Sequence, residues 1–271
     1  MKKLLRRVGV GLLAGYVLIC MGLYFKQESL LFYPQPLPAG YQFRFPGRYA
    51  ERWITAADGT ALNGILFRTD SAKGLVFFLH GNGGSLAEWG QLAPVYQRLG
   101  YDVFMLDYRG YGKSAGTITS QPQLLADVEA AYQQVAVGYA ASSIVIAGYS
   151  LGTGPATWLA ARHRPKLLLL HASYYSMADM AAHTIAVWPL LPGWLLRYPL
   201  PTNAFITRVK APVVLVHGTR DQLIPYASSL RLCALQPGVS LLAVPGAGHN
   251  GLLATPTYKR AIRSLLAPQA P

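Results

Sequence analysis

The sequence predicts an α/β fold: a mostly parallel central sheet, helices on both faces, and a small apolar cap inserted above the strand ends. Three observations carry that expectation. Short unbroken apolar runs recur along the chain and alternate with segments of helical periodicity, an alternation that calls for crossover connections and parallel strands. Hydrophobic residues make up 52% of the 271 and charged residues only 13%, which suits strands covered on both faces. The third observation is local. The run Ser143-Ile144-Val145-Ile146-Ala147 leads into Gly148-Tyr149-Ser150-Leu151-Gly152, and residues 153–162 read as a helix. A strand, a tight glycine-flanked turn and a helix lift the Ser150 hydroxyl above the sheet and set the Leu151 N–H at a helix N-terminus.

The elements follow in order. Residues 8–25 carry no charge and, as a helix, rise about 27 Å, enough to cross a hydrocarbon core. Lys2, Lys3, Arg6 and Arg7 precede them, while Lys26 and Glu28 cancel behind. That asymmetry keeps the N-terminus cytoplasmic and exports the rest, so a single-pass protein of the cell membrane with its domain on the periplasmic or extracellular side is expected. A cleaved signal peptide is the alternative. The stretch Cys20-Met21-Gly22-Leu23-Tyr24-Phe25 is too bulky for an ordinary cleavage site, and Ile19 is not the small residue that lipoprotein processing at Cys20 wants. Residues 1–27 are therefore expected as an anchor, 28–50 as an ordered, proline- and aromatic-rich linker lying on the domain surface, and 51–271 as the domain.

Residues 52–55 and 62–67 are strand-like, and Asp58-Gly59 between them signals a hairpin turn. Residues 74–79 form an unbroken apolar run, read as the first central strand, which ends in His80-Gly81-Asn82-Gly83-Gly84. One helix carrying Leu86, Trp89, Leu92 and Leu99 is expected next. A strand over 102–106 then closes in Asp107-Tyr108-Arg109-Gly110-Tyr111-Gly112, and 124–135 is helical. Further strands fall at 167–170, 213–216 and 241–244, with helices near Ser229 and Ala261. Between 173 and 206 the alternation breaks, and Trp188, Leu190, Leu191, Trp194, Leu195 and Tyr198 crowd together among prolines. An apolar cap over residues 173–206 explains this.

Charge and cysteines exclude several function classes. The net charge is +13; four of those charges precede the apolar helix, and the rest are scattered without a basic helix or an aromatic stripe, so nucleic-acid binding is not expected. Cys20 lies in the membrane segment and Cys233 near the C-terminus, too far apart in kind to pair. The six histidines are widely separated, and neither a metal nor an organic cofactor is expected.

A serine hydroxyl at neutral pH is a poor nucleophile and needs a general base, usually a histidine oriented by a carboxylate. With a strand–turn–helix elbow the chain order is Ser, then Asp or Glu, then His, each on a loop after a strand. Asp221 follows the strand ending at Val216, and His249 follows the strand ending at Val244. Asp179, the other aspartate beyond Ser150, follows no strand. His171 and His217 stand in the wrong place in the order, His163 and His183 read as surface or cap residues, and His80 is expected to brace its own loop. The glycine-rich loop after the first central strand should supply a second oxyanion donor, the backbone N–H of Asn82, beside that of Leu151.

His80-Gly81-Asn82-Gly83-Gly84, Asp107 to Gly112, Gly148 to Gly152, His217-Gly218 through Asp221 to Pro225, and Gly248-His249 together resemble a serine hydrolase of the α/β-hydrolase superfamily. The resemblance spans roughly residues 52–266. It extends to the membrane-anchored members with small caps through the single apolar helix and the linker around residues 31–36. It implies two-step acyl transfer at an ester-type carbonyl, while the apolar cap and an anchor that holds the domain close to a bilayer, with membrane contact through the N-terminal helix, point to an ester or thioester of an acyl or lipid-derived small molecule. Trp188, Trp194 and Tyr198 of the cap are expected to line an acyl pocket. The alternatives are a peptidase or amidase of the same fold, and a non-catalytic protein that binds a lipid or partner in the cleft.

Overall fold

A computed structural model of the chain describes residues 1–267; residues 268–271, the end of the expected domain, lie outside them. The chain opens with α1 (Lys2–Phe25), whose 24 residues extend about 36 Å. Among the described residues it is the one helix long and apolar enough to cross a bilayer, and nearly all of its surface is uncovered by protein. A short α2 (Gln27–Leu31) and a two-residue strand β1 (Tyr33–Pro34) follow. The segment expected as an ordered surface linker thus carries short elements of its own, and β2 (Arg48–Thr55) pairs with β3 (Ala61–Arg68) from Arg48 onward.

The central strands are β4 (Leu75–Leu79), β6 (Asp102–Leu106), β7 (Ile144–Tyr149), β8 (Leu167–His171), β9 (Val213–Gly218) and β10 (Val239–Val244), with the two-residue β5 (Gly83–Gly84) after β4. The sheet has eight strands in the order β10-β9-β8-β7-β4-β6-β3-β2. The first five pairings in that order are parallel, and β3 runs antiparallel to both β6 and β2. Alternation along one strand divides the core. Leu75, Phe77 and Leu79 of β4 face the helices α5 (Gln121–Ala136) and α6 (Thr153–Arg162) through Leu124, Val128 and Leu159. Val76 and Phe78 face the opposite layer, made by α3 (Leu86–Trp89), α4 (Ala93–Gln97) and α10 (Pro256–Leu266), through Leu86, Tyr96 and Ile262. All five β4 side chains are fully buried, each worth about 1.5–3 kcal/mol.

Where one helix was expected after the glycine-rich loop, α3 and α4 are separated by a 3₁₀ turn at Gly90–Leu92. Phe45 packs so close to Gly90 that any side chain there would collide with its ring, and Pro94 sits in the first turn of α4. Between β8 and β9 lie α7 (Met177–Thr184), two 3₁₀ turns and α8 (Thr202–Ile206); α9 (Tyr226–Cys233) links β9 to β10. Because the central strands are parallel, the loops after β4, β7, β9 and β10 converge at one edge of the sheet, the usual place for a ligand in such folds.

Candidate active site

Ser150 follows β7 at φ 51°, a left-handed conformation that costs a non-glycine residue about 1–3 kcal/mol. Packing enforces it. A Cβ on Gly148 would come within 2.8 Å of the Gly152 carbonyl carbon, and one on Gly152 within 2.6 Å of the His80 carbonyl oxygen. His171 at the end of β8 supports the turn from beneath, donating from Nδ1 to the Gly148 carbonyl at 3.0 Å and accepting the Tyr258 hydroxyl on Nε2 at 3.0 Å. Burial lowers the His171 pKa to about 4, so this ring is neutral at pH 7.

The Ser150 hydroxyl lies 3.2 Å from His249 Nε2, and His249 Nδ1 lies 2.8 Å from Asp221 Oδ2. Burial works to raise the Asp221 carboxyl, but hydrogen bonds from His217, His249 and the Ile224 N–H outweigh it and hold the group well below the usual carboxylate range. An ionised Asp221 only accepts, so Nδ1 carries the proton and Nε2 is left to accept from Ser150. The other carboxylate oxygen is fixed by the N–H groups of Leu223 at 2.9 Å and Ile224 at 2.8 Å. His217 is fully buried at the end of β9. Its Nε2 stands 3.0 Å from the Ile224 carbonyl and 3.3 Å from Asp221 Oδ2, and the ring is held by the Ser229 hydroxyl at 2.7 Å.

Asn82 and Leu151 line the same cavity as Ser150. Leu151 lies at the very start of the turn leading into α6, where an N–H has no intrahelical acceptor. The loop carrying Asn82 is fixed on two sides. The Tyr111 hydroxyl donates to the Asn82 carbonyl at 2.6 Å and accepts from the Tyr33 N–H at 3.2 Å, while β1 pairs in parallel with β5. From below, buried Asp107 accepts the Leu86 N–H at 3.0 Å and stands 3.5 Å from His80 Nε2. Burial raises the Asp107 carboxyl against the opposing pull of His80 and Leu86.

The cavity in front of Ser150 has a volume of about 400 Å³, and its walls are chiefly apolar: Met177, Met180, Ile185 and Trp188 from the insertion between β8 and β9, with leucines from the N-terminal segment. Thus a hydrogen-bonded serine–histidine–aspartate line, two main-chain segments suited to an oxyanion and an apolar cavity meet at one sheet edge. That set of groups can attack a carbonyl carbon and hold the negative charge formed on its oxygen.

Residues 74–204 match a family model described as the alpha/beta hydrolase fold. An alpha/beta hydrolase domain-containing protein 17B of Xenopus laevis is 30% identical over 214 residues, which cover 73% of this chain and 67% of that protein. The chain belongs to the α/β-hydrolase superfamily. Protein 17C of Xenopus tropicalis is 29% identical over 81% of this α/β-hydrolase and 70% of its own length, and the mouse 17C protein matches over 62% of its length. Among solved structures, an esterase of Pyrococcus furiosus superposes with a TM-score of 0.69 at 20% identity, covering 87% of this chain and 97% of its own; at that identity the likeness speaks for the fold.

The hydrolase's expected acyl-pocket aromatics divide. Trp188 lines the cavity. Tyr198 does not: it is fully buried, its ring edge-on to Phe32 at 5.1 Å and its hydroxyl donating to Glu28 at 2.7 Å, because the chain after α1 returns across the insertion and covers it. Trp194 does not either. It is 74% exposed and borders a separate apolar hollow of about 310 Å³ with Tyr16, Cys20 and Tyr24 of α1. Asp179 bonds Arg231 at 2.6 Å, whereas the carboxylate on His249 is that of Asp221. The chain order set His217 aside as a base without showing that it shares Asp221, and Tyr149, whose hydroxyl donates to the His249 carbonyl, gave no sign of a place in the site. The His-Gly pair at the end of an apolar strand was the available signal for the former.

Proposed function

We propose that the protein is a serine hydrolase that cleaves carboxylic ester or thioester bonds of acyl or lipid-derived substrates through an acyl-enzyme intermediate. The observation that carries this reading is the continuous hydrogen-bonded line Ser150–His249–Asp221 opening into an apolar cavity. Ser150 Oγ attacks the carbonyl carbon as His249 Nε2 takes the hydroxyl proton. The N–H groups of Leu151 and Asn82 hold the oxyanion, each such donor being worth about 3–4 kcal/mol. Collapse breaks the bond to the leaving alkoxide or thiolate, which receives the proton from His249. A water molecule then attacks the acyl carbon, giving its proton to His249, and the second collapse returns that proton to Ser150 and frees the acid. Asp221 holds the ring in the required tautomer throughout. The apolar walls favour an acyl group longer than acetyl. The N-terminal helix serves as an uncleaved membrane anchor, with the catalytic domain on the exported side.

The test is activity-based labelling of the purified full chain. A fluorophosphonate probe is expected to label the wild type and not Ser150→Ala, and p-nitrophenyl ester turnover in that variant should drop by about 10⁴-fold or more. Undiminished turnover in Ser150→Ala would sink the mechanism.

A further inference from the structure

The cap is not the whole of the acyl pocket. Leu23, from the last turns of α1, and Leu30 and Leu31 of α2 line the cavity that contains Ser150, opposite Met180 and Ile185. Leu30 is about half exposed and Leu23 partly so. They are held there by specific contacts. Gln27 is buried, donating from Nε2 to the Leu195 carbonyl at 2.6 Å and accepting the Arg197 N–H on Oε1 at 2.8 Å. Glu28 pairs with Arg197 at 2.6 Å and accepts the Tyr198 hydroxyl, and the Arg197 guanidinium lies over the Tyr24 ring. A buried amide satisfied at both ends fixes an element's position, because displacing it would leave buried polar groups unpaired. The next residues, Tyr33–Pro34, pair with the loop that carries Asn82.

We propose that the junction of α1 and α2 is the far wall of the acyl site, with Leu23 and Leu30 as specificity-determining residues that bind the apolar chain of the ester. This rests on the reading of Ser150 as the nucleophile. One cavity then runs from the end of the apolar helix to the reacting serine, and the N-terminal helix must stay attached for the site to be complete. Cutting the chain between Phe25 and Tyr33 would open the pocket on one side.

The test uses the full chain in lipid nanodiscs and compares kcat/KM for octanoyl and acetyl p-nitrophenyl esters within each preparation, so that the folded fraction cancels. Leu23→Trp and Leu30→Trp fill the cavity, and the octanoyl-to-acetyl ratio should fall tenfold or more in each. Leu12→Trp, on an exposed turn of α1 away from the cavity, should leave the ratio where it is. An unchanged ratio in both cavity variants overturns the proposal. A second readout does not depend on turnover: in a Cys20→Ala, Cys233→Ala background, dodecanoate should slow maleimide labelling of Leu30→Cys at least threefold. A wild type that hydrolyses no ester defeats the functional reading alone, and the wall is then decided by this protection, standing if labelling slows and falling if it does not.

Discussion

At the scale of single residues, the site depends on histidines that do no chemistry. His171 and His217 end adjacent parallel strands, and each bonds a group that positions a catalytic candidate: the carbonyl two residues before Ser150, and the Asp221 carboxylate. His171 has a consequence for stability. Its folded pKa of about 4 lies below the unfolded value of about 6.5, so between those pH values the unfolded chain binds more protons than the folded one. Stability is therefore lost as pH falls from 6.5 to 4, by about 3 kcal/mol for this group. Thermal melts across that window should show the slope in the wild type, and His171→Gln should lack this part of it, whatever the substitution costs at pH 8. An identical slope in both proteins would place the titration elsewhere.

At the scale of elements, buried polar clamps tie the sheet edge to its helices. Arg109 donates to Asp127 of α5 through Nε at 2.6 Å and Nη2 at 2.8 Å, and to Asp58 in the β2–β3 turn at 2.7 and 3.0 Å. Arg109 and Asp127 are both buried. Asp127→Ala leaves the guanidinium with the half-exposed Asp58 and the Thr60 hydroxyl, and it should cost about 3 kcal/mol, read as a lower urea midpoint at unchanged slope. A loss under about 1 kcal/mol would mean that Asp58, Thr60 and water suffice. Much at this scale was legible beforehand. The central strands announce themselves as unbroken apolar runs because a doubly covered strand tolerates no polar face, and Ser150, Asp221 and His249 stand out because each follows such a run. What stayed hidden depends on contacts remote in sequence. Nothing in Tyr33-Pro34 signals pairing with Gly83-Gly84, and the split between α3 and α4 needs the ring of Phe45, which arrives from another segment. Trp194 and Tyr198 read alike as apolar cap residues, yet one borders α1 and the other lies under the segment that follows it.

At the scale of the whole molecule, the N-terminal helix, the insertion between β8 and β9 and the sheet edge are tied together around the cavity that contains Ser150. Exposed Trp194 and Leu190 beside α1 suit the interface of a bilayer, where an aromatic ring rests favourably. In the proposed orientation, with the four N-terminal cations on the cytoplasmic side, a reporter enzyme fused to the C-terminus should function only if it is one that works outside the cytoplasm. Activity confined to a cytoplasm-dependent reporter would reverse the orientation. In the proposed reaction an acyl group passes through Ser150, and rapid acid quench of the full chain during turnover of p-nitrophenyl octanoate, followed by mass spectrometry of its peptides, reads that directly. An octanoyl group should appear on Ser150 before free octanoate accumulates, and none should form in Ser150→Ala. Steady turnover with an unmodified Ser150, or with the acyl group on another residue, would contradict it.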